Sequence, residues 1–137
     1  MAAALGVLPY RHVLTLPNEP AAVRLARETA QQALTEWGIG LHRTVVDAAL
    51  LMLSELVTNS VRHAAEMSPQ ITVMYAASGS RLALAVHDRH PYQPPLPRAD
   101  TSTGGLGTVM ELTRQHGGTA AVHGDAEGKT IWINLPL

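Results

Sequence analysis

Glu55 and Asn59 stand four residues apart, and Arg62-His63 follow three and four residues later. On a helix, at about 100° per residue, that spacing gathers all four on one face. The stripe has two readings. It is a solvated helix face, or it is the polar edge of a cavity in which a carboxylate lies one turn from a carboxamide. In the second case the chemistry is specific. A carboxylate can take a proton from a reacting hydroxyl, and a carboxamide oxygen is a hard ligand suited to Mg²⁺.

Three other segments carry chemical signals. Gly104-Gly105-Leu106-Gly107 directly precedes an amphipathic run of Val109, Leu112, Thr113 and His116. Glycines at a helix start let an anion approach the free N–H groups, or they form the hinge of a lid. Asp88 closes the apolar stretch before it and opens a proline-rich one. It points into a pocket, or it makes a local turn bond to backbone. Gly128-Lys129-Thr130 opens the last apolar run and by itself is a hairpin turn. His87 and His90 flank Asp88 but have no third ligand at a recognisable metal spacing. There is no Gly-x-Ser-x-Gly elbow for a Ser-His-Asp hydrolase. The absence of cysteine excludes thiol catalysis, a disulfide scaffold and a zinc ribbon.

The elements that must position these groups follow from periodicity. Residues 10–16 alternate as a strand closed by Pro17. Asn18 is a candidate N-cap for a helix over 20–37, with apolar residues at Val23, Ala26, Ala30, Ala33, Leu34 and Trp37 and a stop at Gly38. Residues 41–66 form a longer helix. Its Val46, Leu50, Leu53, Val57 and Val61 face a sheet. Ala48, Leu51 and Met52 extend the polar stripe as a second apolar side, so part of the helix is covered twice. Strands over 71–77 and 81–88 flank a Ser-Gly-Ser turn. A helix over 106–116 and strands over 119–123 and 130–135 complete the order β-α-α-β-β-α-β-β. Strands and helices are segregated. That predicts an α+β two-layer sandwich with helices on one face of a mixed sheet.

Composition agrees with one globular domain over 1–137. Apolar residues make up 46% and charged residues 15%, with no phenylalanine. A net charge of −1 carries no electrostatic footprint for nucleic acid or an anionic membrane. The opening residues lack a basic region and meet Pro9, a poor signal peptide. The most apolar stretch, 45–61, is broken by Asp47, Glu55 and Asn59 and is not read as a membrane span. With no cysteine, a cytoplasmic location is expected. Residues 89–105 hold four of the nine prolines and are too long for an ordinary connection. They are expected to form a lid.

Taken together and in order, Glu55-Leu56-Val57-Thr58-Asn59 with His63, Asp88, the proline-rich stretch, Gly104–Gly107 and Gly128-Lys129-Thr130 resemble the GHKL ATP-binding domain of gyrase and the histidine kinases. In its short form the chain is similar to the bacterial anti-sigma-factor serine/threonine kinases. The resemblance spans about residues 10–135. It implies a Bergerat-type ATP-binding fold, with ATP and Mg²⁺ as cofactors. It implies that Asn59 holds Mg²⁺ and that Glu55 is the base for the attacking hydroxyl. Asp88 would accept a hydrogen bond from the adenine amino group, with Thr130 beside it. Gly104, Gly105, Leu106 and Gly107 would lie under the phosphates, and Arg62 and His63 on the phosphate side. Where the family has Asp-x-Gly, this chain has Asp88-Arg89-His90.

The implied activity is phosphorylation of an anti-sigma-factor antagonist. The implied partners are that antagonist, a sigma factor and a second copy of the chain, with the edge of the first strand inviting pairing. The alternative is an ATP-binding, or formerly ATP-binding, module that sequesters a partner without phosphotransfer.

Overall fold

A computed structural model describes residues 8–90 and 105–137. Eight elements follow in the expected order: β1 (Tyr10–Pro17), α1 (Ala21–Glu36), α2 (Thr44–Ala64), β2 (Gln70–Ala77), β3 (Arg81–Asp88), α3 (Gly105–Gln115), β4 (Thr119–Asp125) and β5 (Gly128–Pro136). They form a two-layer α+β sandwich. The five strands lie in the order β1-β2-β3-β5-β4.

The sheet corrects one expectation: every pairing is antiparallel, so it is not mixed. The reason lies in the connections. Two helices connect β1 to β2, and the chain returns antiparallel to β1. The single-helix crossover from β3 through α3 does make β4 parallel to β3, but β5 lies between them. No parallel ladder forms among the described residues.

Strand alternation sorts the side chains. Ile71, Val73, Tyr75, Leu82, Leu84, Val86, Ile131, Ile133 and Leu135 join the core under the helices. Ala76, Ala83, Ala85 and Trp132 pack with Leu8 on the opposite face.

α2 is the central helix. Val46, Leu50, Leu53 and Val57 are buried as the spacing requires, and Val61 is partly buried. Its second apolar side is covered only in part, with Ala48 and Met52 buried and Leu51 exposed, and α3 packs there. There Met52 is fully buried and the Thr113 hydroxyl, which also donates to the Val109 carbonyl, lies 3.4 Å from its Sδ. By length and composition alone this helix would pass for a membrane span. Its packing on two sides is that of a core helix.

Asn18 does not cap α1. Pro20 takes that position without a side-chain bond. The Asn18 amide instead donates to the carbonyls of Ser60 (3.3 Å) and Ser68 (3.0 Å). One acceptor lies on α2 and the other just after it, so Asn18 ties the segment before α1 to the C-terminal end of α2.

Candidate functional site

The C-terminal half of α2 brings the polar stripe into one strip. Glu55 and Asn59 are each partly exposed, and neither side chain has a hydrogen-bond partner among the described residues. At the Glu55 end stands the start of α3. A β-carbon added to Gly105 would fall 2.8 Å from Glu55 Oε2. The second motif therefore meets the first: the first residue of α3, itself part of the glycine run, lies against the carboxylate. Gly107 is buried and Leu106 packs on the core. The first turn of a helix presents unpaired N–H groups and a positive dipole end, so this corner favours anions. Gly104 and the rest of the expected lid, residues 91–104, lie outside the described residues.

At the other end of the strip, Arg62 and His63 line a cavity of about 540 Å³ with Val61, Glu66, Met67 and His90. That volume lies within the range of small-molecule sites, roughly 300–1,000 Å³. The strip thus runs from the α3 start, past Asn59, to a cavity whose far wall is His90, two residues after Asp88.

Asp88 is in a different state. It is 1% exposed. Its Oδ2 accepts from Ser60 Oγ and from Lys129 Nζ, both at 2.6 Å. Its Oδ1 accepts from the His90 backbone N–H at 3.0 Å. The Lys129 side chain is 5% exposed, so this is a buried ion pair. It joins three elements: Ser60 comes from α2, Asp88 from β3 and Lys129 from β5. Gly128 makes the close approach feasible. Its φ is +129°, and a β-carbon there would meet the Asp88 carbonyl oxygen and Arg89 Cα.

Thr130 is the one expected site residue that the fold turns away. In the β3–β5 register Asp88 faces Lys129 and His87 faces Thr130. Paired residues share a face of the sheet and neighbours alternate. Thr130 therefore lies on the outer face, where its Oγ1 is 2.9 Å from His87 Nδ1. Lys129 takes the place beside Asp88. The same alternation separates His87 from Asp88, and no metal-binding cluster of three or more such side chains occurs among the described residues.

The sequence held the signal for Lys129. Ile131, Ile133 and Leu135 must face the core, and counting back by two reaches Lys129, not Thr130. Ser60 carried a similar signal. It lies one position from Asn59, about 100° around the helix toward the sheet. A second cavity, of about 570 Å³, opens on the outer face among Gln70, Thr72, His87, Arg89 and Glu127. It shares no residue with the α2 strip.

The donor set fits a metal–nucleotide ligand along the strip: a carboxylate and a carboxamide without hydrogen-bond partners among the described residues, a helix start, an arginine and a histidine. Comparisons with known proteins agree with the fold. The model of the family described as histidine kinase-like ATPase domain matches residues 16–133. The histidine kinase domain of the blue-light activated histidine kinase of Erythrobacter litoralis EL346 superposes with a TM-score of 0.55 at 18% identity. The match covers 89% of this chain and 62% of that one. A second structure of that kinase aligns over 68% of this chain and 30% of its own, with a TM-score of 0.48 and 18% identity. No curated protein matches the sequence.

Proposed function

Because the chain belongs to the histidine kinase-like ATPase domain family, within the GHKL superfamily, we propose that it is an ATP-binding regulatory kinase of the anti-sigma-factor type. It phosphorylates a serine or threonine of an anti-sigma-factor antagonist in the cytoplasm and so regulates transcription. The observation that carries this reading is the strip on α2. Glu55 and Asn59 both lack partners among the described residues, and Glu55 lies against the glycine start of α3.

Each residue then has a role that its chemistry allows. Mg²⁺-ATP, when bound, supplies the phosphoryl group. The Asn59 carboxamide oxygen holds the metal. The first turn of α3, with Gly105 and Gly107, faces the phosphates, and Arg62 adds positive charge nearby with His63 beside it. Glu55 accepts the proton of the incoming hydroxyl. Catalysis of this kind rests on positioning and electrostatics more than on covalent chemistry. Incubation with labelled ATP and candidate antagonists tests it. Label on a serine or threonine of an antagonist supports the reading, and ATP binding without transfer to any partner overturns the kinase assignment.

That second outcome is the module that sequesters a partner without phosphotransfer. One observation favours it: Asp88, which the resemblance assigns to adenine, is already held by Ser60, Lys129 and the His90 backbone. As partners we propose a sigma factor, the antagonist and a second copy of the chain. The outer edge of β1 pairs with nothing among the described residues, and Val13 there is 61% exposed.

A further inference from the structure

We propose that Lys129 determines the nucleotide affinity of the site by acting as an internal competitor for Asp88. This rests on the reading of the site as a nucleotide site and adds a residue to it. The argument begins with the carboxylate. Two oxygens offer about four acceptor positions, and three are filled by Ser60 Oγ, Lys129 Nζ and the His90 N–H. The side chain is 1% exposed. Burial closes off the fourth, so an amino group of a purine finds no open acceptor edge. Among the described residues, His90 lines the cavity beside it and Asp88 does not.

Lys129 is the partner that makes the difference. Ser60 and His90 donate single neutral hydrogen bonds, whereas Lys129 brings a full charge at 2.6 Å. Charge-assisted bonds are roughly twice as strong as neutral ones. Its place is fixed by the sheet, because Asp88 and Lys129 are register partners and Gly128 holds β5 tight against Asp88. A purine amino group is a neutral donor. It reaches Asp88 only when the ammonium yields, so each binding event works against the buried pair.

Removing the ammonium has two linked effects. The empty protein is left with a buried carboxylate short of one donor and becomes less stable. A ligand that restores a donor recovers part of that loss, so binding tightens. The test is calorimetry with ATP and thermal melting, on wild type, Lys129→Met and Lys129→Gln. Lys129→Met is expected to melt lower when empty, to show a larger ATP-induced rise in Tm, and to bind ATP roughly tenfold more tightly, the worth of one hydrogen bond to a charged group. Lys129→Gln keeps a donor but loses the charge, and is expected to fall between the two. It also carries the test should the methionine variant fail to fold.

Equal or weaker ATP binding by the folded variants, beside measurable binding by wild type, overturns the assignment of Lys129 alone. Folded proteins that bind no nucleotide in any of the three forms overturn the nucleotide site itself, and this proposal with it.

Discussion

Glu55 and Asn59 are separated by one helical turn, about 6 Å along the axis at ~1.5 Å per residue. That separation divides their roles. A group that holds the metal and a group that takes a proton from the incoming hydroxyl need to stand side by side without blocking each other. Glu55→Gln keeps the size and hydrogen-bonding capacity of the side chain and removes only its basicity. ATP affinity is expected to stay near wild type while phosphotransfer to the antagonist falls roughly 10²- to 10⁴-fold, the usual contribution of a general base. Unchanged transfer would show that Glu55 is not the base and only orients its surroundings. The neighbouring Ser60 lies about 100° around the helix, toward the sheet, and has a structural task. Its hydroxyl donates to Asp88 and its carbonyl accepts from Asn18, so one residue ties α2 both to β3 and to the segment leading into α1.

At the scale of elements, the β4–β5 hairpin sets the position of Lys129, and Gly128 is its fulcrum. A side chain there would meet Asp88 backbone atoms and would also be strained by a φ of +129°. Gly128→Ala is expected to lower stability by about 1–3 kcal/mol or more, read as a fall in the denaturation midpoint. Full stability in that variant would mean that β5 sits farther from Asp88 than described.

The contact of β2 with α1 makes a second expectation. Tyr75 OH donates to the Ala26 carbonyl at 2.7 Å, and burial pushes its pKa well above the ordinary value. The unfolded chain releases that proton first, near pH 10. The stability Tyr75 contributes is thus complete below about pH 10 and is lost as pH rises beyond it. Of the three tyrosines, one should ionise only as the protein unfolds. Ionisation of all three tyrosines with the fold intact would contradict the buried placement.

Elements of this kind were legible in the sequence because their periods are strong. The two apolar runs of β2 and β3 about a Ser-Gly-Ser turn and the double apolar face of α2 needed no tertiary information. The strand order was not legible. Whether β5 enters between β3 and β4 depends on contacts across the sheet, and on it depended the antiparallel pattern. Thr130 was misplaced because a motif was read as a unit where the two-residue period of β5 assigns its members to opposite faces. The role of Asn18 was hidden because a capping residue and a long-range donor look alike in sequence.

At the scale of the whole molecule, helices cover one face of the sheet and leave β1 as an open edge. Tyr10 stacks on Trp37 at 5.8 Å, which fixes the start of that strand, while Val13 stays exposed. Exposed edges with apolar residues invite a second chain. Light scattering at micromolar concentration is expected to give the mass of a dimer, and Val13→Lys to reduce it to that of a monomer. A wild-type monomer mass would remove self-association from the account. The central claim concerns the strip on α2. Calorimetry of wild type and Asn59→Ala with ATP, in Mg²⁺ and in chelator, tests it directly. Loss of a hydrogen-bonding group on a charged ligand is worth about 1.5–3 kcal/mol, or roughly ten- to hundredfold in affinity. The account predicts that Mg²⁺ strengthens ATP binding to wild type and that Asn59→Ala loses that gain by this factor. Affinity that is the same for both proteins, with and without Mg²⁺, would contradict it.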